Sequence, residues 1–209
     1  MSIKLKSDKS RILFVDFDGT ICHDRFWRSL DTSTFEKIQK ILFGKNKSMI
    51  NEWMRGIHSS EDINHFISKE LNLSFEYLWG HFVNDCENMT VAQEVLYGIE
   101  KLKNDFHTVL ITDNMDCFTR FTVPALKLNL YFDLIVNSCE SKKFKCDNNG
   151  EIFVHLLNEY NSKIDRSILI DNSQVVCDII SQRGGNVCLV TIEKPALFWL
   201  KKLVEDAHW

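Results

Sequence analysis

Residues Arg11–Thr20 read RILFVDFDGT. An unbroken apolar run, Ile12 to Val15, leads into Asp16 and Asp18, which flank Phe17 and are followed by Gly19-Thr20. A short continuous apolar run closed by a glycine turn is the pattern of a strand covered on both faces, as in a parallel sheet flanked by helices. Asp16 and Asp18 then stand at its carboxyl end, the edge at which open α/β sheets bind ligands. Side chains two apart on a strand point the same way, so both carboxylates are expected to face one point while Phe17 turns away. Like charges aimed at one point repel unless a cation or a proton relieves them, as a divalent ion meeting an anionic substrate would. A hairpin at Asp18-Gly19 would need an alternating strand after Thr20, but the next residues, ICHDRFWR, are charged and aromatic.

Working outward, 209 residues suit one domain, or a core with a modest insertion. Lys and Arg number 25 against 29 Asp and Glu, a net charge of -4 that leaves no basic footprint for nucleic acid. The opening MSIKLKSDKSR holds no apolar segment of signal-peptide length, and no later run has the apolar length of a membrane span. A cytoplasmic protein without nucleic-acid or membrane partners is expected; oligomeric state is not legible. Seven scattered cysteines without a C-x-x-C pair point to reduced, mostly buried thiols and not to a zinc site or a disulfide framework.

From Ile21 to about Met89 the apolar residues keep helical spacing: Phe35, Ile38, Ile41 and Leu42; Ile50, Trp53, Met54 and Ile57; Ile63, Phe66, Ile67 and Leu71; Phe75, Leu78 and Phe82. Asp31 or Thr32, Ser59-Ser60 and Ser74 supply helix starts, so residues 21–89 read as an all-helical insertion with an aromatic interior. Beyond it, helix and buried strand alternate. Helices are expected over Thr90–Lys103, Asp116–Leu128 (kinked or divided by Pro124), Glu151–Tyr160, Val175–Arg183 and Lys194–Asp206. Strands are expected over His107–Thr112, Leu134–Ser138, Ser167–Asp171 and Asn186–Val190. That alternation is the repeat unit of a parallel α/β sheet, built from residues 1–20 and 90–209.

The stretch hhhhDxDGT at Ile12–Thr20 resembles the first signature of the haloacid dehalogenase superfamily, mostly Mg²⁺-dependent phosphohydrolases with a Rossmann-like three-layer core. The resemblance implies three more signatures in fixed order. The second, a Ser or Thr ending an apolar strand, matches Thr112, followed by Asp113-Asn114. The third, a lysine ahead of a helix, falls in SKKFKCDNNGEIF; Lys142, Lys143 and Lys145 are candidates, and Lys145-Cys146-Asp147 with Ile152-Phe153 fits best, with Cys where relatives often carry Pro. The fourth, an acid ending a later strand, matches Asp171 in SILIDNS, with Asn172 where many relatives have a second acid.

By this resemblance Asp16 is a nucleophile that forms an aspartyl-phosphate, and Asp18 is the acid and base two positions on. Thr112 and Lys145 stabilise the transferring group, and Gly19, Thr20, Asp113 and Asn114 line the phosphate site. Mg²⁺ is held by Asp16, the main-chain carbonyl of Asp18, and Asp171. The insertion corresponds to a helical cap that closes over the site and contacts a small phosphorylated substrate, with His23, Asp24, Arg25, Arg28 and Arg55 within its reach. An acid at position 18 favours phosphate esters, since halide displacement needs no proton from the enzyme. A phosphomutase or phosphotransferase with the same residues, and a non-catalytic phosphate-binding module, stand as the alternatives.

Overall fold

The computed structural model describes residues 10–206. β1 (Ile12–Val15), β2 (His107–Thr112), β3 (Leu134–Asn137), β4 (Ser167–Asp171) and β5 (Asn186–Leu189) form one sheet in the order β3-β2-β1-β4-β5. Every pairing is parallel. The helices are, in chain order, α1 (Thr32–Gln39), α2 (Lys47–Met54), α3 (Ser60–Leu71), α4 (Phe75–Glu87), α5 (Gln93–Leu102), α6 (Val123–Ala125), α7 (Ser138–Ser141), α8 (Glu151–Glu159), α9 (Gln174–Gln182) and α10 (Ala196–Asp206). Among the described residues no helix is long and apolar enough to cross a membrane.

The alternation of β1 divides the core into two apolar layers. Ile12 and Phe14 join the buried faces of α8 and α9, and Phe14 meets Phe153 edge-on at 5.1 Å. Leu13, Val15 and Phe17 join α5 and α10 on the opposite face of the sheet. Helices therefore cover both sides of a central strand that is buried throughout, as its uninterrupted apolar run requires.

α1 to α4 hold a separate interior around Trp27, Trp53 and Phe82, with ring centroids 4.8 to 6.3 Å apart. The expected caps are formed: Asp31 accepts from Thr34 N, Ser74 from Tyr77 N, and Ser59 makes a reciprocal capping box with Asp62. Asp116–Leu128 is helical and divided, as expected: Pro124 has no N–H to donate, Val123 N reaches back to the Phe118 carbonyl, and the stretch passes through a widened turn and the short α6 to a 3₁₀ turn at Leu128–Leu130. Two other helical expectations are corrected. α1 stops at Gln39 and continues as a widened turn, Lys40–Lys45. Ile57 lies outside α2, because Gly56 at φ 66° reverses the chain and leaves it 67% exposed. Six of the seven cysteines are buried and Cys146 is exposed.

Asp116, which opens the helical stretch after β2, joins the helical part to the sheet. Its Oδ1 accepts from Trp53 Nε1 (2.8 Å) and Ser60 Oγ (2.6 Å), and its Oδ2 from Arg120 Nη1 (2.7 Å). Arg120 also grips Glu61 of α3 through both terminal nitrogens. Removing the acceptor strands an indole N–H and a hydroxyl, so Asp116→Ala is expected to cost about 2–4 kcal/mol of stability. Asp116→Asn, which keeps one acceptor oxygen, should cost less. Chemical denaturation of both variants checks the order, and equal midpoints would contradict it.

Candidate active site

Strands are added to β1 on one side as β2 and β3 and on the other as β4 and β5, so the carboxyl edge between β1 and β4 is a topological switch point. Val15 pairs with Ile170, and Asp16 N donates to the Ile170 carbonyl at 3.0 Å. Asp16 and Asp171 therefore end up at one level on adjacent strands. They are 3% and 0% exposed, and Lys145, 5% exposed, joins them. Its Nζ lies 2.8 Å from Asp16 Oδ1 and 2.7 Å from Asp171 Oδ2.

Of the three candidate lysines only Lys145 enters the site. Lys142 Nζ donates to the Cys139 and Gly56 carbonyls, and Lys143 pairs with Glu151 at the surface. The irregular loop carrying Lys145 is fixed by side chains. Asp113 Oδ1 accepts from Lys145 N at 2.9 Å, and Asp147 Oδ2 accepts from Phe144 N at 3.0 Å. Arg55, just past α2, lies over the Phe144 ring at 4.0 Å and donates to Asp147 Oδ1 and to the Lys142 carbonyl, both at 2.9 Å. Nothing in the local sequence pattern signals this clamp. It connects residues 87 and 92 positions apart.

Burial works against the Lys145 charge, but Asp16, Asp171 and Asp113 outweigh it and hold the ammonium above the ordinary lysine range. Asp171 is raised to about 6 by burial and by the Asp16 charge, with Lys145 opposing. Asp113 is also raised to about 6, by burial first and then by Asp16 and Asp147. A carboxyl whose folded pKa lies above its unfolded value stabilises the fold below the unfolded value, and that contribution is lost as pH rises through 6. Asp113→Asn is therefore expected to gain on the wild type between pH 4 and pH 7.5, by about 1–3 kcal/mol. Thermal melts at the two pH values in metal-free buffer measure the gain; no change in the difference would contradict it.

The two aspartates of the first signature do not share partners. Asp18, its side chain 55% exposed at the mouth of a cleft, pairs with Arg25 Nη1. Enclosure by the cleft walls still raises its carboxyl above the ordinary range, with Arg25 opposing and Asp16 adding to the rise. Asp18 thus takes Arg25 as its partner while Asp16 takes Lys145 and Thr20, because β1 ends at Val15 and the chain turns at Phe17–Cys22. Gly19 sits at φ 73°, and a Cβ there would lie 2.3 Å from Asn172 Nδ2. Gly19 N donates to the Cys22 carbonyl, and Thr20 Oγ1 donates to Asp16 Oδ2 at 3.0 Å while accepting from Asn172 N at 3.1 Å. Gly19 and Thr20, two of the four residues expected to line the phosphate site, shape the loop around Asp16. Asn172 is part of that brace.

Thr112 Oγ1, at the carboxyl end of β2, is the one fully enclosed side-chain oxygen or nitrogen among the described residues that has no hydrogen-bond partner. Such a group costs stability unless a ligand or water completes it. Asn114 is positioned from both sides: its N donates to Ser138 Oγ, which donates on to the Met54 carbonyl of α2, and its Oδ1 accepts from Met115 N. Asp113 and Asn114 face the cleft together with Asp18.

Among the described residues no three His, Cys, Asp or Glu side chains are spaced to hold a metal ion. Asp16 and Asp171 are separated by the Lys145 ammonium, and Asp18 is turned to Arg25. The donor set still suits Mg²⁺: it is all oxygen, its third member is the Asp18 carbonyl and not a third carboxylate, and that carbonyl accepts no hydrogen bond among the described residues. Burial first, and then the Asp16 charge, keep Asp171 raised against the opposing influence of Lys145.

Searched by sequence, the chain matches no family model and no curated protein. Solved structures do match. A HAD family enzyme of Bacteroides thetaiotaomicron, crystallised with magnesium and inorganic phosphate, aligns at TM-score 0.66 and 16% identity, over 87% of this chain and 94% of that one. A HAD phosphatase of Thermococcus onnurineus aligns at 0.59 and 15%, over 93% and 97%. A 2-haloacid dehalogenase of Pseudomonas syringae aligns at 0.64 and 12%, over 94% and 99%. The chain has the haloacid dehalogenase-like fold, a Rossmann-like α/β core with added helices.

Proposed function

We propose that this protein is a Mg²⁺-dependent phosphohydrolase that cleaves a small-molecule phosphate monoester through a phosphoryl group carried on Asp16. The observation that carries the reading is the unpartnered, enclosed hydroxyl of Thr112 at the same sheet edge as a lysine-bridged pair of buried carboxylates. A phosphoryl oxygen supplies the acceptor that hydroxyl lacks.

Asp16 attacks phosphorus with one carboxylate oxygen as the bond to the leaving oxygen breaks, and Asp18 delivers a proton to that oxygen. Water then attacks the phosphoryl group, Asp18 takes its proton, and the bond to Asp16 breaks to regenerate the carboxylate. Thr112 donates to the transferring group and Lys145 balances its charge. Thr20, Asn172 and Lys145 hold Asp16 in one orientation, so little ordering is left for the transition state. Asp16, the Asp18 carbonyl and Asp171 would hold Mg²⁺, which would supply positive charge against the phosphoryl oxygens. The helices from α1 to α4 serve as the cap that keeps bulk water from the intermediate. The acid at position 18 favours this reading over dehalogenation, in which no leaving group needs a proton.

Inorganic phosphate release from a panel of small phosphate monoesters tests it. Turnover is expected with Mg²⁺, to vanish with EDTA, and to return when Mg²⁺ is restored. Absence of release from every ester with metal present would overturn the reading.

A further inference from the structure

We infer, resting on the phosphohydrolase reading, that the alcohol released from the substrate is small, carries no second anionic group and is largely apolar, an alkyl or arylalkyl group. A cleft of about 270 Å³ opens between the Asp18, Asp113 and Asn114 edge of the sheet and the helical part. It adjoins the proposed phosphoryl site through those three residues, so whatever is esterified to the phosphate enters it. Its volume lies below the ~300–1,000 Å³ of pockets that take drug-sized ligands, which restricts the group to about one ring or a short chain.

Phe26, Phe43, Ile50, Met54, Met89 and Met115 make most of its remaining wall. The methionines adapt to more than one apolar shape. The lining charges do not suit a second anionic group. Among the described residues Arg25 is the one lysine or arginine lining the cleft, and its Nη1 is paired with Asp18. A substrate carboxylate that reached the other nitrogens of Arg25 would lie among Asp18, Asp24 and Asp113, where like charges repel it. Asp24 is partly engaged, its Oδ2 accepting from Thr90 N at 2.7 Å. Away from the sheet edge, Gln39 is the only neutral polar side chain that the described residues place in the lining. A sugar would leave several hydroxyls facing phenylalanine and methionine, a loss of water hydrogen bonds without replacement.

The test compares kcat/KM, with Mg²⁺, for hexyl, benzyl and glucose 6-phosphates, phosphocholine and phosphoglycolate. All five leave from a primary carbon, and acetyl phosphate serves as a reference with almost no group to seat. Hexyl and benzyl phosphates are expected to exceed the other three esters by about tenfold or more. Phe43→Arg places a cation on the wall at a position 38% exposed, where the fold tolerates it. It is expected to lower the ratio of hexyl to acetyl phosphate turnover by about tenfold. Preference for phosphoglycolate, phosphocholine or glucose 6-phosphate overturns the inference, as does an unchanged ratio in Phe43→Arg. Turnover of acetyl phosphate without preference among the esters overturns it alone; no turnover of any compound overturns the phosphohydrolase reading with it.

Discussion

Lys145→Met is expected to lower turnover by about 10³-fold or more and to cost about 3–5 kcal/mol of stability. The side chain is buried with Asp16 and Asp171, and its ammonium is the cation bonded to both of them. Methionine fills much of the same volume, so the expected loss is electrostatic and not a cavity effect. Two enclosed carboxylates left without their shared partner repel, and one of them then holds a proton. Asp171, already raised by burial and by Asp16, loses the opposing influence of Lys145 and moves higher. The folded variant then binds a proton that the unfolded chain releases at lower pH, so its stability falls as pH rises through and above 6. Thermal unfolding from pH 5 to pH 8 should show the deficit deepening with pH, alongside the loss of kcat. A flat deficit would mean that Asp171 does not take up the proton.

Asp16→Asn is expected to abolish turnover by about 10⁴-fold or more while leaving the protein folded. The amide keeps an acceptor for Lys145 or Thr20 but lacks the charge that attacks phosphorus. Its removal also relieves Asp18, Asp113 and Asp171, each of which the Asp16 charge pushes upward. The variant should therefore melt close to the wild type, and added inorganic phosphate should still raise its melting temperature through Thr112 and Lys145. Retained turnover would place the nucleophile elsewhere.

The β1 stretch made the sheet legible because a strand buried on both faces leaves no room for alternation, and each later strand carries the same mark. The sheet-edge positions of Asp16, Thr112 and Asp171 followed from where those strands end. Lys145 was separable from Lys142 and Lys143 only by resemblance, since the loop that carries it has no periodicity. What selects it in space is Asp113, Asp147 and Arg55, an arginine far off in sequence. The pairing of Asp18 with Arg25 was hidden for a related reason: alternation holds while a strand lasts, and β1 stops one residue before Asp16. Asn172, a departure from the acidic pattern, proves to brace Thr20. The hub at Asp116 carried no signal, because an aspartate in the first turn of a helix reads as solvated until its partners are known.

The most direct measurement is rapid acid quench of the wild-type protein during turnover with Mg²⁺, followed by intact-mass and peptide analysis. One phosphoryl group is expected on the peptide containing Asp16, transient in the wild type and absent from Asp16→Asn. Steady phosphate release with no phosphoryl group ever found on Asp16 would contradict covalent catalysis at the end of β1.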